Sequence, residues 1–176
     1  MDFEYLLDKY EKSIYNLILR LVDNPEEAAD LTQDVFISAY RNATSFRNDS
    51  SEYTWLYRIA VNHCKNRFKQ MFRQKTKETV SLNEIEGCYE SSEPLAAAKV
   101  STPWESLDNK ELRRHIERAI ISLPYDYKVL IILRDMQGLS YLEIADILGV
   151  SSNVIRTKLA RARAALRNIL EPYIKQ

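Results

Sequence analysis

The chain has 176 residues, 45% hydrophobic and 28% charged, with 25 Lys and Arg balanced by 25 Asp and Glu. These values suit one large or two small globular domains and exclude a disordered or fibrous polymer. No apolar run approaches the roughly 20 residues that cross a bilayer, and the acidic opening MDFEYLLDKYEK has no signal-peptide pattern, so the chain is expected in the cytosol.

Only 3 Gly and 5 Pro interrupt a text rich in Leu, Ile, Ala, Glu and Arg, which predicts an all-α protein. Apolar residues at Phe3, Leu7, Tyr10, Ile14, Leu17 and Leu21 predict a helix over 3–22 with one buried stripe. Asn24-Pro25-Glu26-Glu27 combines an N-cap with a first-turn proline, so a second helix is predicted from there to about Asn42. SFRNDSSEY is a polar connector, and a third helix follows over about Tyr53–Lys75. Residues 79–106 lose all sustained period and gather Ser, Glu and Pro, the composition of a linker. Helical period resumes near Leu107, pauses at Leu123-Pro124, and continues over Tyr125–Met136. Then Ser140-x-x-Glu143 opens a short helix as a capping box, Gly149 supplies a turn, and Ser151 or Ser152 caps a longer helix. Two helices joined in this way predict a helix-turn-helix.

Cys64, Cys88, His63 and His115 offer four donors for a metal, but neither C-x-x-C nor H-x-x-x-H spacing occurs. Reduced thiols and ordinary histidines are expected, with no metal or cofactor. The neutral total hides a strong polarity. Residues 1–45 carry four cationic and nine acidic side chains, and 46–80 carry eight and three. Residues 81–110 carry two and six, 111–150 five and six, and 151–176 six and one. Two basic blocks separated by acidic ones suit two surfaces for a polyanion, or else solvated helix faces.

Helix faces weigh the two. In the last helix Ile155, Leu159, Ala162 and Leu166 share one narrow arc, which must pack on the domain. Arg156, Arg163 and Arg167 line one flank and Lys158 and Arg161 the other. Asn153, Thr157, Ala160 and Ala164 form the outward ridge between them. No Asp or Glu occurs between Asp146 and Glu171, unlike a merely solvated helix. This suits insertion in a major groove, with cations on phosphates and small side chains at base edges.

In the third helix Arg58, Asn62, Lys65 and Lys69 share an arc opposite Leu56, Ala60, Cys64, Val61 and Phe68. Tyr57 lies near the edge of that buried arc; with Phe46 it either belongs to the core or walls a pocket for an unstacked base. On the second helix Asp30, Gln33, Asp34 and Ile37 face away from Ala28, Val35 and Ala39, a stripe that either solubilises or receives a basic protein. Neither a nucleophile with its base nor a Gly-rich phosphate loop is present. The chain is therefore not expected to be an enzyme or to take a small-molecule substrate, and any catalysis must come from a partner.

DLTQDVFISAYRN, SFRNDSSEYTWLYRIAVNHCKNRF and LPYDYKVLIILRDMQGLSYLEIADILGVSSNVIRTKLARARAAL resemble, in order and spacing, the three signature regions of bacterial sigma factors of the extracytoplasmic-function (ECF) group. TWLYRIAVN is especially similar to the sigma-E branch. The resemblance implies two small helical domains, sigma-2 over 1–78 and the sigma-4 helix-turn-helix over 107–176, with a flexible linker over 79–106. It implies binding to core RNA polymerase, recognition of minus-35 and minus-10 promoter elements, help in melting DNA, and a place in a stress response, in contrast to a stand-alone helix-turn-helix regulator. By position, Asp30, Leu31, Gln33, Asp34 and Ile37 would dock on the beta-prime clamp helices, and the beta-flap tip would meet the second domain. Phe46, Tyr57, Ala60 and Asn62 would form or border a pocket for a flipped base, with Arg58, Lys65, Asn66 and Lys69 on the backbone. Arg134, Arg156, Thr157, Ala160 and Arg161 match minus-35 readers, with Asn153 on the same ridge and Lys158 and Arg163 as phosphate contacts. A cognate anti-sigma factor, commonly membrane-anchored, is also implied. The chain departs from the family in having Asn153-Val154-Ile155-Arg156-Thr157-Lys158 where Gly-Thr-Val-Lys/Arg-Ser-Arg is common, and a methyl side chain at Ala160 where a larger one is common. Ser50-Ser51-Glu52 also adds a carboxylate beside the minus-10 pocket.

Overall fold

The computed structural model describes residues 3–43, 51–78 and 110–174; Phe46 and the expected linker over 79–106 lie outside the described residues. Helix α1 spans Phe3–Val22 and α2 spans Pro25–Arg41. The Asn24 side chain accepts from the backbone N–H groups of Glu26 and Glu27 at 3.0 and 3.1 Å, as its N-cap position requires. The turn between them is sharp because Asp23 adopts φ 56°, a left-handed conformation that Asp tolerates better than most residues. Along α1 the inner positions are Leu6, Ile14, Leu17, Ile18 and Leu21, while Leu7 is exposed. The expected stripe is thus broader and rotated at its start, because α1 packs against both α2 and the next helix rather than one neighbour.

Helix α3 runs over Glu52–Glu78, a little longer at each end than its periodicity predicts. Ser51 caps it: its hydroxyl accepts from Thr54 N–H at 3.1 Å. A hydrogen bond between Ser38 Oγ and His63 Nε2 at 2.9 Å and an ion pair between Glu27 and Arg67 tie α2 to α3.

The second group holds α4 (Lys110–Ser122), α5 (Tyr125–Ile131), α6 (Tyr141–Leu148) and α7 (Ser152–Ile174). The helix expected over Tyr125–Met136 changes character after Ile131: Ile132–Met136 form a wider π-helical turn, closed by Gln137 N–H on Ile132 O at 3.0 Å. Lys128 to Leu133 are all buried, so no polar interval in the sequence marks the change. Gly138 at φ 74° then releases the chain toward α6.

The capping box is complete: Ser140 Oγ accepts from Glu143 N–H at 3.2 Å and the Glu143 carboxylate accepts from Ser140 N–H at 2.8 Å. Hydrogen bonding to the carboxylate by the Ser140 side chain, and then by its backbone N–H, holds the Glu143 carboxyl below its usual range. Gly149 ends α6 at φ 67°. Ser140→Ala is expected to destabilise the fold by about 1 kcal/mol, read as a lower midpoint in denaturant titration, with Ser140→Thr close to wild type.

One core runs through both groups, from Leu6 and Leu17 of α1 to Ile155 and Leu159 of α7. Helix α6 packs on α3, and α5 touches α1 and α3. The sequence marks two helical groups but not this docking.

Candidate nucleic-acid and polymerase interfaces

Helix α7 divides as its periodicity predicts. Ile155, Leu159 and Ala162 are buried, and Leu166 is partly so. Asn153, Arg156, Thr157, Lys158, Ala160, Arg161 and Arg163 are all exposed on the other side. Their freedom differs, however. Arg163 is forked onto the Asp135 carboxylate, with its Nε at 3.1 Å, and this pairing raises its already high pKa. Lys158 lies 4.0 Å from Asp126, and Thr157 Oγ1 donates back to Asn153 O at 3.1 Å. Arg134, set in the π-helical turn, donates to Leu139 O at 2.6 Å and lies 4.9 Å from the Tyr141 ring centroid. The same ring has the Arg156 guanidinium at 6.0 Å. Tyr141 therefore gathers two of the expected reader arginines around one aromatic ring, an arrangement that restrains their rotamers. Sequence reasoning missed Tyr141 and Asp135; the available signal was an aromatic residue directly after the capping Ser140 and an acid directly after Arg134.

On α3 the residues expected at the minus-10 element separate into accessible and buried members. Asn62, Lys65, Asn66 and Lys69 are exposed, whereas Tyr57 is 3% and Ala60 0% exposed. The Tyr57 ring lies 4.0 Å from that of Tyr53, and burial pushes its hydroxyl pKa up, so it remains protonated. Arg58 reaches across to α6, where its Nε and Nη2 donate to Asp146 O at 3.0 and 2.6 Å. Cys64 sits beneath this face; burial pushes its thiol up to about 12, so it is an inert packing residue. Among the described residues no three His, Cys, Asp or Glu side chains are grouped to hold a metal ion.

On α2, Asp30, Gln33 and Asp34 are exposed and Ile37 is 47% exposed, while Leu31 at 8% belongs to the core. Asp30 and Asp34 border an open groove of about 640 Å³ whose other wall carries His63, Asn66 and Arg67 of α3. The acidic stripe therefore stands apart from the cationic ridge of α7.

Residues 6–74 match the Sigma-70 region 2 family and residues 113–166 match Sigma-70, region 4. The ECF RNA polymerase sigma-E factor of Escherichia coli (strain K12) is 38% identical over 174 residues, which cover 99% of this chain and 89% of that one. The chain belongs to the ECF sigma factors. The RNA polymerase sigma-H factor of Pseudomonas aeruginosa is 34% identical with the same coverage, 99% and 89%. Two solved structures share the fold. The sigma factor RpoE, crystallised with the anti-sigma factor NepR from Bartonella quintana, aligns at TM-score 0.68 and 23% identity, covering 97% of each chain. CnrH, solved with the cytosolic domain of CnrY, aligns at 0.64 and 19%, covering 97% of this sigma factor and 88% of CnrH. The ordered pair of sigma-70 regions accounts for a helix-turn-helix and a second nucleic-acid-like helix in one chain, which a stand-alone regulator would not need.

Proposed function

We propose that this sigma factor divides promoter recognition between residues 1–78, which join core polymerase and hold the minus-10 element, and residues 107–176, which read the minus-35 element, with 79–106 linking them. The observation that carries the reading is the outward face of α7, where a ridge of small and polar side chains is flanked by cations with no acid between Asp146 and Glu171. Arg134, Asn153, Arg156, Thr157, Ala160 and Arg161 meet base edges and sugar-phosphate in the major groove, and Lys158 and Arg163 meet phosphates. Asp30, Gln33, Asp34 and Ile37 contact the beta-prime clamp helices, with Leu31 supporting them from inside. The beta-flap tip takes apolar surface left on the second group.

On α3, Asn62 with Arg58, Lys65, Asn66 and Lys69 holds the separated non-template strand, and Phe46, Tyr57 and Ala60 form or border the base pocket. Unstacking costs a few kcal/mol per step, and a base against an aromatic wall returns about 1 to 3 kcal/mol, so opening is captured by binding without ATP. The bond chemistry belongs to the polymerase. Promoter and polymerase place the work in the cytoplasm, and no helix among the described residues is long and apolar enough to cross a membrane. An anti-sigma protein of the kind solved with RpoE and CnrH is a further partner, and a membrane-anchored one would hold the chain at the inner face.

Run-off transcription with purified core polymerase tests the reading: promoter-specific product should appear only when the chain is added. A chain that footprints DNA alone and gives no product with core is instead a stand-alone regulator. Asn62→Ala should weaken open-complex formation, followed by permanganate reactivity of unpaired thymines, more than closed-complex binding. Equal loss at both steps would remove Asn62 from the strand-holding face.

A further inference from the structure

Consecutive residues of the π-helical turn serve different elements of the helix-turn-helix. Arg134 turns toward the start of α6, where it donates to Leu139 O and lies 4.9 Å from the Tyr141 ring centroid. Asp135 turns toward α7, where its carboxylate takes the Arg163 guanidinium in a fork: Nε donates to Oδ2 at 3.1 Å and Nη2 to Oδ1. The carboxylate is partly sheltered, at 27% exposure, and the guanidinium is half exposed. An acid is unexpected beside a face that the phosphates of DNA approach, because its charge repels them. Lys158 also has an acid partner, but Asp126 lies 4.0 Å away and both side chains are well exposed, so that pair fixes no direction.

A guanidinium carries its N–H donors in one rigid plane. Asp135 takes Nε–H and one N–H of Nη2, the side-on edge, so both N–H groups of Nη1 and the second of Nη2 remain on the end-on edge. Phosphate accepts two parallel bonds from such an edge. Because the group is planar, pinning one edge fixes the plane and the direction of the other. Arg163 stands seven residues after Arg156 on the same flank of α7. That places it about 10.5 Å further along the helix at 1.5 Å per residue, where it grips a phosphate while Arg156 meets a base. Phosphate contacts fix a protein's orientation on the duplex without carrying sequence information themselves. An unrestrained arginine loses rotamer freedom when it makes one, and the fork has already removed that freedom.

We propose that Asp135 is a positioning residue for minus-35 binding: by holding the side-on edge of Arg163 it aims the end-on edge at a phosphate beside the groove that α7 reads. The inference rests on the minus-35 reading of α7. The carboxylate stands behind the guanidinium as the phosphate approaches, and salt screens its repulsion at that remove. The pre-aimed, charge-assisted contact outweighs it.

The sign of the effect decides. Holoenzyme assembled from the full chain and core polymerase is bound to a promoter fragment enriched from random DNA, and to copies altered within the minus-35 element, over a range of salt concentrations. Asp135→Asn should weaken binding about fivefold on every fragment and make the salt dependence shallower by about one counterion, as Arg163→Ala should. In the Arg163→Ala background Asp135→Asn should change affinity less than about twofold. A loss that persists in that background makes Asp135 a merely structural residue and overturns the proposal. An acid that only neutralises Arg163 gives the opposite sign: Asp135→Asn then tightens binding on every fragment and steepens the salt dependence, which also overturns it. Tighter binding of Asp135→Asn, with Arg156→Ala still weakening the preferred fragment, leaves the minus-35 reading standing without the proposal. If neither Arg156→Ala nor Arg163→Ala weakens binding, both fall.

Discussion

Reversing Asp30 and Asp34 together to lysine is expected to abolish stable association with core polymerase, a loss of about 3 kcal/mol or roughly 150-fold in affinity. Both side chains are exposed on the side of α2 turned away from Ala28, Val35 and Ala39, which fill the core. Their neighbour Glu27 is already neutralised by Arg67, so Asp30 and Asp34, with Glu26 at the groove's end, supply its negative charge. A basic partner surface that meets two carboxylates would then meet two ammonium groups, and like charges across an interface cost several kcal/mol. The fold should survive, because neither side chain is buried. Binding of labelled core to the double variant, followed by anisotropy, checks the expectation, and duplex binding through α7 should be unchanged in the same preparation. Unaltered core affinity would make the stripe a solubilising surface. Leu31→Ala is a different experiment: at 8% exposure it leaves a cavity, and its effect should appear first as lost stability.

What the sequence disclosed depended on whether a feature writes itself in side-chain spacing. The faces of α7 were legible because one side packs on a core and the other does not, so a 3.6-residue period separates Ile155, Leu159 and Ala162 from the cations. The caps at Asn24 and Ser140 were legible because capping needs particular side chains at fixed offsets. The docking of the groups was not, since the acceptors that receive Arg58, Tyr125 and Lys128 are the backbone oxygens of Asp146, Val61 and Leu21, which any residue type would offer. Arg58 therefore reads as a free cation in the sequence and is engaged in the structure. Tyr57 shows the converse: the wheel left it between core and pocket, and the structure places it at 3% exposure against Tyr53. Tyr141 escaped notice because its partners Arg134 and Arg156 lie on separate elements, joined only after the π-helical turn and the helix-turn-helix are folded.

Arg156→Ala is expected to cost about 1 to 3 kcal/mol of binding at the preferred minus-35 sequence, roughly 5- to 150-fold, and much less on duplexes changed at the base it contacts. Three features single it out among the cations of α7. It is exposed on the flank of the outward ridge, whereas the Arg163 guanidinium is shared with Asp135. No carboxylate holds it among the described residues, so its planar fork remains available for the two acceptors on a guanine edge. The Tyr141 face lies 6.0 Å away and limits the conformations it loses on binding. Tyr141→Leu should therefore reproduce part of the loss, and Tyr141→Phe, which keeps the ring, should not. The measurement is affinity for a panel of single-base variants across a range of salt concentrations. A uniform loss on every sequence, together with a salt dependence shallower by about one counterion, would make Arg156 a phosphate contact and move base selection to other residues of the ridge.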